Sequence, residues 1–319
     1  MLWAWITGSV LVVAFGILFA IYYYSFYTPH RGQNDPFYYP DNEQYAPYKE
    51  AHLAGIRELL SSEYEKVSVE SFDGLRLSGK YFAFGKPDAP LCICFHGWRG
   101  LDIRDFRGGI GMLKRMGCNV LLISERGHGE SGGHTLTFGI NERRDAITWT
   151  EYAVNRFGPD VRVFWFGVSM GAATVLMGSG LDTPVQLKGI LADAPYGSPK
   201  EIISMHCRQD VHLPPAVFYP IVTFCGFLFG HFRLNSASPI EAVKTAKVPI
   251  LIIHGDDDRF VPIEMSREIL PSNPKIRYEV FPGAGHVLSC LRDPERYETI
   301  VREFVADCLA GNADASQDI

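Results

Sequence analysis

Short, almost wholly apolar runs recur along this chain, separated by longer stretches of mixed polarity. Six of them are Leu91–Phe95, Asn119–Ser124, Val161–Phe166, Lys188–Ala192, Pro249–His254 and Ile276–Phe281. Runs this short and this continuous predict strands buried on both faces. The stretches between them are long enough for helices, so the strands lie parallel with helices covering both sides of the sheet. Ahead of them, Lys66–Ser71 and Leu75–Phe82 flank an Asp73-Gly74 turn and predict an opening hairpin. Eight strands in all are expected.

Two apolar stretches break this rhythm. Leu2–Tyr27 carries no charged residue, and a helix of that length exceeds the roughly 30 Å hydrocarbon core of a bilayer. Trp3 and Trp5 stand at one end and Tyr22, Tyr23, Tyr24, Phe26 and Tyr27 at the other, the distribution of an interfacial aromatic belt. A cleavable signal peptide is the rival reading. It lacks the usual basic start and small-residue cleavage site, so residues 1–28 are read as a single-pass anchor. Gly16 and Ala20 have small-x-x-x-small spacing, a weak hint of a helix–helix face. The polar, aromatic and proline-punctuated 29–48 reads as a juxtamembrane linker, and 312–319 as a flexible tail. Arg31 on the C-terminal side of the anchor favours a cytoplasmic position for the rest of the chain.

The second stretch lies in an insertion of about 196–238, where His212–Phe232 is strongly apolar but interrupted by Pro214, Pro215 and Pro220. Those prolines argue against a second span. The insertion reads as a short apolar cap over a site, or as a helix laid flat on the core.

Composition narrows the function classes. The net charge is −6 and no basic cluster is present, which gives no support for nucleic-acid binding. The seven cysteines are odd in number and have no framework spacing, as suits a reducing compartment. Cys92 and Cys94 share one face of a strand and read as apolar packers. No H-E-x-x-H or paired C-x-x-C occurs, so no metal site is expected.

The chemistry begins at Gly167-Val168-Ser169-Met170-Gly171. It follows a strand and opens onto Ala172–Met177, which can continue as a helix, the setting of a nucleophile elbow. Such a turn exposes the Ser169 Oγ and leaves the Met170 N–H able to bind an oxyanion. A serine nucleophile needs a base and a group that orients the base, and in this setting acid and then histidine follow the serine in the chain. Asp256, Asp257 and Asp258 follow the run ending at His254, Asp193 ends an earlier one, and His286 follows Ile276–Phe281. His96 is read as shaping a loop, and His128 and His134 as packing or rim residues.

Phe95-His96-Gly97-Trp98, Glu125-Arg126-Gly127-His128-Gly129-Glu130-Ser131, the elbow, and His254-Gly255-x-x-Asp258-x-x-Val261-Pro262 with Gly285-His286 together resemble the α/β-hydrolases. More narrowly, they resemble the serine-aminopeptidase/monoacylglycerol-lipase-like branch. The resemblance covers about 60–310. It implies an α/β-hydrolase domain over 49–311, with a mostly parallel eight-stranded sheet and a short apolar cap. It also implies Asp258 as the acid of a Ser169–His286–Asp258 triad, and the Trp98 N–H as the second oxyanion donor beside Met170. Glu125 departs from the Asp usual in the family. The expected activity is hydrolysis of acyl or lipid-like carboxylic esters through an acyl-enzyme, with no cofactor. An amide-cleaving aminopeptidase uses the same triad. A binding protein that retains only the fold is the non-enzymatic reading. The anchor is expected to hold the enzyme at a membrane without touching its chemistry.

Overall fold

Strands form where the apolar runs predict them: β1 Glu65–Glu70, β2 Arg76–Phe82, β3 Leu91–Phe95, β4 Asn119–Ser124, β5 Val163–Val168, β6 Leu187–Asp193, β7 Ile250–Gly255 and β8 Arg277–Phe281. They make one eight-stranded sheet in the order β1-β2-β4-β3-β5-β6-β7-β8. The computed structural model describes residues 1–28, 35–40 and 42–312. The predicted hairpin is present: β1 pairs antiparallel with β2, and Gly74 at its turn has φ +82°, a value glycine adopts without strain. β2 also runs antiparallel to β4, and the remaining neighbours are parallel. β5 ends at Val168, two residues beyond the predicted Phe166. Its pairing continues through Gly167 and Val168 onto β6, so the strand runs to the elbow itself.

The main helices are α1 Leu2–Phe26, α2 Lys49–Ser61, α3 Glu142–Phe157, α4 Met170–Gly178, α5 Pro199–Gln209, α6 Pro215–Gly230 and α7 Pro294–Ala310. Period-two alternation splits each strand between two cores. Cys92, Cys94 and Phe166 face α2 and α7 side chains such as Ile56, Tyr297 and Phe304. Leu91, Ile93 and Trp165 face Trp149 of α3 and Val175 and Leu176 of α4. The helices therefore cover both faces. The two cysteines are apolar packers, and all seven cysteines are free thiols.

A third cluster lies beyond the carboxyl ends of the strands. It joins Tyr22 and Phe26 of α1, Met170 and Ala173 of α4, and Ile202, Tyr219 and Val222 of α5 and α6. The 196–238 insertion thus supplies α5 and α6. At 16 residues α6 is about 24 Å long, short of a bilayer core. Ser198 accepts a hydrogen bond from the Glu201 N–H at the start of α5, with Pro199 in the first turn, a regular N-terminal stop for a helix.

Between β3 and β5 the order of strands reverses, because the chain leaves β3 for β4 on one side and returns to β5 on the other. Open α/β sheets hold ligands outside the carboxyl ends of the strands at such a point. The loops after β3 and β5 carry Gly97-Trp98 and Ser169.

Of the predicted linker, 29–34 and 41 lie outside the described residues, and Arg31 with them; 313–319 of the tail does as well.

Candidate active site

Ser169 separates β5 from α4 with φ 56° and ψ −118°. A non-glycine residue there costs about 1–3 kcal/mol and persists only where its surroundings fix it. The flanking glycines are part of what fixes it. A Cβ on Gly167 would lie 2.2 Å from the Gly171 carbonyl oxygen, and one on Gly171 would lie 2.0 Å from that of Phe95. The Ser169 N–H donates to the Asp193 carbonyl at 2.8 Å.

Three of the predicted residues form one hydrogen-bonded line. Ser169 Oγ is 2.9 Å from His286 Nε2, and His286 Nδ1 is 2.7 Å from Asp258 Oδ2. All three are buried. The other oxygen of Asp258 accepts the N–H groups of Phe260 at 2.9 Å and Val261 at 2.8 Å. Burial pushes the Asp258 carboxyl up, but His286 and His254 outweigh it and hold it well below the usual carboxylate range. Asp258 therefore stays an anion.

The competing aspartates are engaged elsewhere. Asp256 accepts the Gly283 N–H at 2.6 Å. Asp257 faces Arg259 at 3.2 Å and Gln44 at 3.0 Å. Asp193 lies under the elbow and accepts from the Tyr297 hydroxyl at 2.9 Å. Burial drives its carboxyl up to about 6, against the pull of Tyr297 and the two histidines.

Met170 is the first residue of α4, so its N–H is among the donors a helix start leaves without an internal acceptor. Gly97 sits against the serine: a Cβ there would be 3.3 Å from Ser169 Cβ and 3.7 Å from Oγ. The Gly97-Trp98 peptide therefore lies beside Ser169 Oγ. Asp105 holds this loop by accepting the Gly97 N–H at 2.9 Å. His96 links it to the neighbouring strand, with Nδ1 donating to the Gly97 carbonyl at 2.9 Å and Nε2 accepting the Glu125 N–H at 3.0 Å. His128 packs edge-on against His96 at 4.8 Å, and His134 stacks on Tyr27 at 5.5 Å. These are the packing and loop-shaping roles expected of the three histidines.

Glu125 is fully buried, and neither carboxylate oxygen has a hydrogen-bond partner among the described residues. Burial, reinforced by Glu142, Asp145 and Asp105, raises its carboxyl well above the ordinary range. Arg126 next to it anchors the loop after β4, with two contacts of 2.7 Å to Asp145 and one of 2.8 Å to Asp73.

The sequence assigns no role to two supporting residues, although His254 opens one of the motifs that carry the resemblance. His254 bridges Asp258 Oδ2 at 3.2 Å, the Val261 carbonyl at 2.9 Å and Ser266 Oγ at 2.7 Å. Tyr45 donates to the His286 carbonyl at 2.9 Å. Only the chain's path brings these groups together.

Two cavities meet at Ser169 and also share Trp98 and Phe260. The first, about 450 Å³, is lined mostly by apolar side chains of α1, α5 and α6, with His206 and Asp210 also among its walls. The second, about 680 Å³, is lined by Tyr38, Asn42, His52, Arg99, Arg104, Arg107 and Arg259, among others. The helix α1, expected to hold the chain at a membrane without touching the chemistry, also forms a wall of the first cavity. Ile17, Ala20, Ile21 and Tyr24 line the first cavity together with Ser169. Among the described residues no cluster of metal-ligating side chains occurs.

A family model described as "Alpha/beta hydrolase family" matches residues 92–300. The uncharacterised protein YqkD of Bacillus subtilis is 28% identical over 192 residues, 60% of this chain and 63% of its own length. This chain thus spans less than two thirds of that relative. The zebrafish (Danio rerio) lysophosphatidylserine lipase ABHD12 is 25% identical over 187 residues, 56% of this chain and 46% of its own. Among solved structures, the Pyrococcus furiosus esterase Pf2001 superposes with a TM-score of 0.64 at 25% identity, over 78% of this chain and 92% of that one.

Proposed function

The chain belongs to the α/β-hydrolase family, and on that premise we propose that it is a membrane-anchored serine hydrolase of lipid-like carboxylic esters. The observation that carries this reading is the continuous line from Ser169 Oγ through His286 to Asp258, with contacts of 2.9 and 2.7 Å. Its members have the contacts a triad requires, and Asp258 stays ionised beside the imidazole.

In this mechanism Ser169 Oγ attacks the ester carbonyl while its proton passes to His286 Nε2. The carbonyl oxygen becomes an oxyanion held by the N–H groups of Met170 and Trp98. Asp258 keeps the Nδ1 proton in place and stabilises the imidazolium. Collapse breaks the bond to the alcohol oxygen, which leaves with the proton from His286. Water then enters, loses a proton to His286 and attacks the acyl-enzyme. Its collapse frees the carboxylic acid and returns the proton to Ser169.

The cavities support a lipid-like ester. An acyl chain suits the apolar cavity, and the alcohol portion suits the arginine-lined one. A protonated α-amine, which an aminopeptidase must accept, is disfavoured by Arg99, Arg104, Arg107 and Arg259, which outnumber the one carboxylate there, Asp105. The similarity to a lysophosphatidylserine lipase supports the same substrate class. Anchoring rests on Trp3–Phe26, a 24-residue apolar helix without a charged residue, long enough to span a bilayer.

A panel of p-nitrophenyl esters and aminoacyl anilides, assayed with the detergent-solubilised protein and Ser169→Ala, tests the reading. Ester cleavage lost in the variant supports it. Anilide cleavage without ester cleavage favours the aminopeptidase. No turnover of either class favours a binding protein.

A further inference from the structure

The helix α1 is fixed to the catalytic domain. Tyr22 OH is 2.5 Å from Thr135 Oγ1, and the Thr28 hydroxyl donates to the Gly127 carbonyl at 2.6 Å. Phe26 is fully buried, edge-on to Phe232 at 5.1 Å and to Phe138 at 6.0 Å. Phe15, Phe19 and Tyr22 all pack on Phe229 of α6. Arg99, next to Trp98 in the chain, donates to the carbonyls of Tyr24 at 2.6 Å and Tyr27 at 3.3 Å near the end of α1. Cationic donors favour helix C-termini. This one ties the helix to the loop beside Ser169.

The fixed part is also the part that faces the cavity. Ile17, Ala20, Ile21, Tyr24 and Ser25 of α1 line it, with Ser169 and Met170 among its other walls. From Ile17 to Ser25 the helix rises about 12 Å.

Helix length then sets the cavity's place in the bilayer. Every residue from Trp3 to Ala14, ahead of Phe15, is exposed, and that free part is only about 18 Å long. A hydrocarbon core of about 30 Å needs more. The next two turns, which carry Ala20 and Ile21, must supply it. The outer end of the cavity therefore lies within the hydrocarbon layer, beside α6, whose Val217, Phe224, Phe227 and Leu228 are exposed.

We infer that α1 is the outer wall of the acyl site, and that Ile17, Ala20 and Ile21 set the chain length it accepts from the bilayer. The inference rests on the proposed readings of Ser169 as nucleophile and of α1 as a bilayer-spanning anchor. An acyl chain sliding in along α1 stays in an apolar surrounding throughout and avoids the cost of crossing water.

The test uses the full chain in lipid nanodiscs and three fluorophosphonates, one ethyl, one dodecyl and one hexadecyl. Ser169 Oγ bonds to phosphorus, fluoride leaves, and the serine proton passes to His286. Ala20→Trp and Ile21→Trp fill the cavity and should lower the dodecyl-to-ethyl labelling-rate ratio at least tenfold. Ile17→Ala and Ile21→Ala, which widen it, should raise the relative rate of a hexadecyl probe. Val12→Trp, on an exposed part of the same helix, should leave the ratio within twofold. Unchanged ratios in all four cavity variants overturn the inference while leaving the nucleophile intact. Absence of labelling in the unmodified protein overturns the nucleophile reading, and the inference with it.

Discussion

The two cavities that meet at Ser169 are built from different parts of the chain and offer opposite environments. The apolar one is made by helices outside the α/β core, α1 and the α5–α6 insertion. The polar one is made by the loop after β3, by Tyr38, Pro40, Asn42, Gln44 and Tyr45, and by the loop carrying Arg259. They share little beyond Ser169, Trp98 and Phe260. In the proposed reaction the core positions the reacting bond, while additions to the core choose the groups on either side of it. An ester placed across the junction has its acyl chain and its alcohol in media that could not be exchanged without burying charge among apolar groups.

Ser169→Ala removes the junction and should have the largest effect. Loss of a triad nucleophile costs on the order of 10⁶ in kcat, so turnover should vanish for substrates that use either cavity. Residual activity above a few per cent in pure protein would place the nucleophile elsewhere.

Asp258→Asn should lower kcat by up to about 10⁴, the scale for a triad carboxylate. The same change at Asp193 should leave kcat within a few fold, because that carboxyl bonds to Tyr297 and not to His286. The reverse ranking would move the acid to β6.

Asp193 yields a stability effect instead. Its folded carboxyl is raised to about 6, above the roughly 3.9 of an unfolded aspartate. The folded state thus binds the proton more tightly between these values. Stability falls as pH rises through that window, by up to roughly 3 kcal/mol. Asp193→Asn carries no such charge. Melting curves should show it gaining on the unmodified protein from pH 4 to pH 7, and a constant difference would contradict the assignment.

The smallest effect should come from the polar cavity. Arg104→Gln and Arg107→Gln should raise KM several-fold for esters with an anionic alcohol portion. Esters with a neutral alcohol should change less, because the lost attraction acts on charge. Equal changes for both would remove the electrostatic side of the contrast.

Much of the core was legible in the sequence because it is written locally. Continuous apolar runs mark parallel strands, and the elbow needs its serine and glycines within five consecutive residues. His286 and the 256–258 aspartates could be placed by their positions after strands. Choosing Asp258 among the aspartates took the family resemblance, since all three share one turn. The cavity walls were not legible. Nothing in Ile17-Leu18-Phe19-Ala20-Ile21 distinguishes a helix surrounded by lipid from one that also faces a binding cavity. That distinction arises from Arg99, Thr135 and Phe229, which are remote in the chain. Likewise Tyr45 lies in a segment that reads as a linker, and its hydroxyl reaches the His286 carbonyl only through tertiary packing.

The central claim is that Ser169 is the group that attacks. Digestion and mass spectrometry of the full-length protein after reaction with an alkyl fluorophosphonate tests it most directly. The account predicts one adduct, on the peptide containing Gly167-Val168-Ser169-Met170-Gly171, which is lost in Ser169→Ala and strongly slowed in Asp258→Asn. An adduct on another serine, or none under conditions where the protein is folded, would contradict it.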